Sequence, residues 1–198
     1  MKKNEKILFS EKRLQGVKSV STPSAPYAGL CASESDVFFE ECAYNFANFF
    51  RNNKNEPLKF ITGLLYCYGL RISEVLALTS ECIVGENQLF IKGSKGSENR
   101  IIQVIYAPQC INSLLMQNVP LSAVFSRFYV YRELKKYGLY AYFAGNSNAS
   151  ATHLSRHLKV LELKKNNVPR ETISKFIGHR SIKSLVYYEK PIRKKSNS

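Results

Sequence analysis

The chain has 198 residues, 44% of them apolar, which is enough for one buried core and crowded for two full domains. Lys and Arg number 29 against 15 Asp and Glu, and the resulting +14 points to a polyanionic partner, nucleic acid ahead of an anionic membrane surface. Five widely spaced cysteines without a C-x-x-C pair argue against a disulfide framework or a zinc knuckle, and no apolar run is long enough to cross a membrane or serve as a signal core. The expectation is a soluble protein of a reducing, DNA-containing compartment such as the cytoplasm.

The charge is concentrated at the C-terminal end. From His153 to Lys195, 12 Lys and Arg against Glu162, Glu171 and Glu189 leave +9; residues 1–20, with six Lys or Arg against two Glu, carry +4. A solvated helix surface would also explain such a run, so charge alone says only that nucleic acid is a fitting partner.

Residues 1–35 are basic or small and polar, with the linker-like STPSAPYAG at 21–29, and are expected to be flexible. From Asp36, apolar residues at Phe38, Phe39, Cys42, Phe46, Phe49 and Phe50 recur at helical spacing, with Ser35 available as N-cap. A second helix is predicted from Pro57 to Tyr68, stopped by Gly69, and a third opens at Arg71. The period then changes: Gln88 to Lys92 and Asn99 to Val104 read as strands joined by the turn GSKGSE, with Lys92 and Lys95 at the turn. Helices resume at 108–117, 121–136, 150–166, 169–178 and 181–188, with Pro169 as first helical residue of its segment. The fold class is α+β, mainly helical with a small antiparallel sheet.

The sequence has no P-loop, acidic metal cluster or glycine-rich nucleotide fingerprint, so chemistry on a phosphodiester would have to proceed through side chains alone. Such an exchange needs guanidiniums to hold the charge gathering on non-bridging oxygens, a nucleophile, and groups that move protons. A tyrosine nucleophile needs that help, because in water a phenol is ionised at neutral pH only to roughly one part in a thousand.

Three pieces supply such a set: YGLRISEVLAL at 68–78, IKGSKGSENRIIQV at 91–104, and THLSRH at 152–157 with IGHRSIKSLVYYEK at 177–190. Together, over about Asp36 to Lys190, they resemble the catalytic domain of the tyrosine recombinase or phage integrase family, including Xer-type and Cre-like enzymes. The resemblance implies site-specific breaking and rejoining of DNA through a 3′-phosphotyrosyl link, with no metal or other cofactor. Arg71 matches the first arginine of that family, and Glu74 the acidic residue that follows it in support. Lys95, counted back from Arg100, matches the hairpin lysine that protonates the leaving 5′ oxygen, with Lys92 the weaker candidate. His153 and Arg156 match the H-x-x-R box, His179 the histidine that bonds a non-bridging oxygen, and Tyr188 the nucleophile.

Each match has an ordinary alternative. His153 and His157 could be i,i+4 zinc ligands, although no third ligand is evident. Arg71 could be a helix-end arginine and His179 a helix C-terminal cation; Tyr187 and Tyr188 could be plain aromatics. A one-residue slip would pass the nucleophile to Tyr187; the count from His179 favours Tyr188.

The resemblance implies double-stranded DNA as partner, a tetramer on DNA, and leaves room for an accessory DNA-bending protein. Only 35 residues precede the match, against about a hundred for the clamp domain that most such enzymes place on the other face of the DNA. Residues 191–198 read as a basic tail, too short for a helix exchanged between subunits. Ser155 and Gln103 depart from the pattern at positions without chemistry. The competing expectation is a catalytically idle, truncated integrase that binds DNA as a regulator.

Overall fold

The computed structural model describes residues 34–94, 97–105, 111, 118–139, 142–143, 151–189 and 192–193. Residues 1–33 of the segment expected to be flexible, the turn lysine Lys95 and most of the helix expected at 108–117 lie outside these residues, while Glu34 and Ser35 of that segment are helical.

Helix α1 (Glu34–Asn52) buries Cys42, Phe46 and Phe49 along one stripe and leaves Tyr44 in solvent. It already includes Ser35, so that residue is not the N-cap expected from sequence. Phe46 stacks on Tyr66 with ring centres 4.6 Å apart, and Phe49 meets Tyr137 edge-on at 5.0 Å. Those contacts fix α1 against the helices on either side.

Helix α2 (Glu56–Tyr68) is the centre of the fold. Its start is set by Asn55, whose Oδ1 accepts from Leu58 N at 3.0 Å, and by Pro57, which has no amide hydrogen to leave unpaired. Its end is Gly69, whose φ of 61° suits a residue without a Cβ. Ten of its residues from Leu58 to Tyr68 are buried, as expected of a helix packed on every side.

After Gly69 the chain turns into the short helix α3 (Ile72–Leu76), then a 3₁₀ turn (Ser80–Cys82). The sheet follows, antiparallel in the order β1 (Ile83–Gly85), β2 (Gln88–Ile91) and β3 (Arg100–Gln103). Leu89 pairs with Ile102 and both are buried; Phe90 pairs with Ile101, and Ile101 faces out, the alternation a one-sided sheet requires. Strand β1, with a single exposed valine between two half-buried positions, carries too little pattern to read in advance. Tyr68 Oη accepts from Ile105 N at 2.8 Å and ties the sheet's end to α2.

The helix expected over 121–136 is two pieces, a 3₁₀ turn (Leu121–Ala123) and α4 (Arg127–Lys136). Ser126 separates them because its hydroxyl accepts from Tyr129 N at 3.1 Å and caps α4. Helix α5 (Ala151–Lys165) packs along α2 and is buried continuously from Leu154 to Val160, polar residues included. Helix α6 (Arg170–Phe176) begins one residue later than expected, with Pro169 as N-cap and not as first helical residue. Residues Ile182–Glu189 form a 3₁₀ helix and not an α-helix. Residues 192 and 193, expected in a tail, make β5 (Ile192–Arg193), paired antiparallel with β4 (Tyr142–Phe143) and lying against α1. Among the described residues no helix is long and apolar enough to cross a membrane.

Candidate active site

Gly69 lets the chain leave α2 in extended conformation, and this sets Arg71 at the N-cap of α3 with φ −75° and ψ 147°. Glu74, one turn on, accepts from Arg71 N at 2.9 Å through Oε2 and from Arg71 Nη1 at 3.4 Å through Oε1. The Glu74 side chain has no exposed surface. Arg100, at the start of β3, donates from Nη2 to Glu74 Oε2 at 2.9 Å, and Arg156 Nη1 lies 4.0 Å from the same oxygen. Burial by itself would raise the Glu74 pKa, but the hydrogen bond and charge of Arg100, the Arg71 amide and the Arg156 charge hold it below the usual carboxylate value. Three guanidiniums around one carboxylate leave two positive charges uncompensated within this group. Such a buried excess is a seat for an anion.

Arg156 is 1% exposed and held from two directions. Nη1 donates to Gly69 O at 2.8 Å, the end of α2, and Nη2 donates to Ile177 O, the end of α6. Its Nε is buried with no hydrogen-bond partner among the described residues. Burial and the neighbouring Arg71 and Arg100 lower its pKa to about 10, with Tyr188 and Glu74 pulling the other way; it is charged at neutral pH.

His179 follows the stop of α6. Gly178 at φ 73°, with His179 N donating to Ser174 O at 2.8 Å and Gly178 N to Lys175 O at 3.0 Å, forms a Schellman cap. The turn is gripped by the segment before β3: Glu98 N donates to Gly178 O at 2.9 Å, and Ser97 and His179 form an isolated bridge. Burial, then the charges of Arg156, Arg71 and Arg100, press the His179 pKa down to about 4, so the ring is neutral at pH 7, and its Nδ1 is buried without a hydrogen-bond partner among the described residues.

Tyr188 sits in the 3₁₀ helix. With three residues per turn, Leu185 and Tyr188 stack on one face and enter a core of Val160, Leu163, Ile173 and Ile177. The Tyr188 ring centre lies 5.8 Å from Arg156 Cζ and 5.3 Å from the His179 ring. Tyr187 is about a third of a turn away.

The fold therefore brings Arg71, Glu74, Arg156, His179 and Tyr188 together from four separate elements. His153 is one turn before Arg156 on α5 but exposed, and Lys92 is exposed at the end of β2. Two residues not assigned a role from sequence join the group. His157 is 1% exposed with its ring 5.6 Å from Tyr188, in surroundings unlike those of His153. Arg100 served in the sequence only as a mark for counting, though its place in the hairpin motif was the available signal.

The pattern that defines the phage integrase family matches residues 39–194. The chain belongs to the phage integrase family. It has the fold of tyrosine recombinase catalytic domains. It resembles the catalytic domain of bacteriophage HP1 integrase at a TM-score of 0.55 and 18% identity, covering 76% of this chain and 83% of that one. A crystal structure of XerA recombinase matches at 0.52 and 18% identity over 83% of this chain and 61% of that one. XerH recombinase bound to its difH substrate in a pre-cleavage complex matches at 0.53 and 14%, covering 76% of this chain and 48% of XerH. The chain spans less than two thirds of XerA and about half of XerH. No curated protein sequence matches it.

Proposed function

We propose that this integrase is a DNA strand transferase in which Tyr188 attacks a backbone phosphodiester. The observation that carries the reading is the seating of the Tyr188 ring between the His179 ring at 5.3 Å and the Arg156 guanidinium at 5.8 Å, beside a group with excess positive charge. A phosphodiester is the anion that suits this excess. The Tyr188 oxygen forms a bond to phosphorus as the bond to the 5′ oxygen breaks; the phenol proton leaves and the 5′ oxygen gains one. The product is a 3′-phosphotyrosyl link and a free 5′ hydroxyl, and attack by a partner's hydroxyl reverses the step on a new strand. One ester replaces another, so no external energy source is needed.

Arg71 and Arg156 are assigned to the non-bridging oxygens, where fixed donors stabilise the transition state most. His179, neutral at pH 7, adds a hydrogen bond there. Glu74 orients the guanidiniums and prevents them from repelling each other apart. His153, exposed one turn from Arg156, is suited to exchange the phenol proton with solvent. Lys95 is assigned to the leaving oxygen from the sequence pattern alone.

The substrate is double-stranded DNA, approached by the basic 153–195 block, and exchange between two sites calls for a tetramer, with an accessory bending protein as a further partner. The catalytic unit is assigned to residues 36–190, acting in a DNA-containing intracellular compartment. A nicked duplex that loses its 5′ hydroxyl fragment after cleavage tests the reading: an SDS-resistant adduct is expected. Its absence would favour the idle DNA-binding regulator.

A further inference from the structure

Arg100 touches three parts of the site at once, and beyond its charge beside Glu74 no role above uses it. Its Nη2 bonds the fully buried Glu74 carboxylate at 2.9 Å, and its Nη1 bonds Glu98 O at 3.4 Å. Its guanidinium also fills the space where a Cβ on Gly178 would stand, with Cζ 2.9 Å and Nε 3.3 Å from that point. The backbone beside it holds the same turn, through Glu98 N to Gly178 O and the pairing of Ser97 with His179. Arg100 and its neighbours therefore pin the Gly178–His179 turn from one side while Ile177 O, bonded to Arg156, pins it from the other.

We infer that Arg100 is a positioning residue, which fastens the Gly178–His179 turn to Glu74 and thereby sets where His179 faces Tyr188. The inference rests on the strand-transfer reading for its effect on cleavage. The residue type follows from the geometry. A flat guanidinium can lie over a glycine Cα while its two Nη groups reach acceptors in different directions, whereas a lysine ammonium keeps only one of those bonds. The side chain acts through Glu74, which Nη2 bonds, and through the Gly178–His179 turn, over which its guanidinium lies.

The test uses Arg100→Ala, with Arg100→Lys to retain the Glu74 ion pair should the alanine variant fold poorly. Two readouts are taken. In single-turnover cleavage at saturating DNA, both variants are expected to slow by roughly ten- to a hundred-fold, with DNA affinity changed by less than about three-fold, since misplacing a site by an ångström is enough for such losses. In NMR titration of the three histidines, the His179 midpoint is expected to rise in Arg100→Ala and that of exposed His153 to stay. The groups acting on His179 are Arg156, Arg71, Arg100, Glu74 and Tyr188, so deleting one cation among them shifts the ring in a known direction. An unmoved His179 signal, or a loss residing wholly in DNA affinity, overturns the inference. The NMR arm needs no cleavage, and Arg100→Lys, which keeps the charge, separates position from electrostatics: a displaced His179 ring signal in that variant together with an inactive wild type would refute strand transfer and leave the positioning role standing.

Discussion

The Arg156 guanidinium carbon lies 5.8 Å from the centre of the Tyr188 ring, and the same guanidinium joins the last carbonyl past α2 to the last carbonyl of the α6 cap. One side chain thus serves both as a structural tie and as a cation beside the proposed nucleophile. Stability and activity are coupled through it.

Arg156→Lys should show both effects. Lysine cannot donate to Gly69 O and Ile177 O together, so at least one buried carbonyl loses a charged partner, at a cost of about 3 kcal/mol in urea denaturation. Adduct formation should fall about a hundred-fold or more. A variant that folds with wild-type stability would contradict the tie.

Glu74→Gln removes the only anion within hydrogen-bonding distance of Arg71 and Arg100 among the described contacts. Destabilisation of about 2–4 kcal/mol is expected at pH 7. Because the Glu74 pKa is lowered in the fold, its contribution is present above the ordinary value of 4.5 and is lost as pH falls through the folded value. The glutamine variant should therefore show a shallower loss of stability below pH 4.5 than wild type, read by denaturation across that limb.

His179 titrates in a higher window. Its folded pKa of about 4 lies below the ordinary 6.5, so as pH falls the unfolded chain takes up the proton first. Stability should decline between those two values, by up to about 3 kcal/mol and by less where solvent screens the ring. His179→Gln should be flat over that range in the same assay. Equal slopes for the two proteins would mean that the ring is not held neutral.

Much of this arrangement was readable in advance. Pro57 and Gly69 marked the limits of α2 because such end signals are local chemistry, and Arg71 followed at the next helix start; the Asn55 cap emerged only with the structure. The 3₁₀ form of 182–189 was not readable, since a spacing of three between Leu185 and Tyr188 fits either helix type. Strands β4 and β5, two residues each, pair across the chain and leave no period to detect. The group around Glu74 was visible only in part. Its Arg71 partner is a local i,i+3 contact, whereas Arg100 is 26 residues away and Arg156 arrives on another helix, so only folding reveals that one carboxylate serves all three. His157 was legible as a histidine but not as a neighbour of Tyr188.

DNA affinity should fall steeply with salt. The basic block from His153 to Lys195 would displace counterions from the duplex, so the logarithm of the binding constant should drop linearly with that of salt concentration, with a slope of roughly −4 or steeper. Lys164→Ala with Lys165→Ala should flatten it, as both are exposed at the end of α5. A slope near zero in fluorescence anisotropy titrations would remove nucleic-acid backbone as the ligand of this block.

The most direct measurement is the identity of the residue bonded to DNA. The protein is incubated with a nicked suicide duplex, the SDS-resistant adduct is digested, and the modified peptide is sequenced by mass spectrometry in wild type, Tyr187→Phe and Tyr188→Phe. Phosphotyrosyl DNA is expected at Tyr188 in wild type and in Tyr187→Phe, and none in Tyr188→Phe, if Tyr188 is the nucleophile. An adduct that persists in Tyr188→Phe, or one mapped to Tyr187, would contradict it.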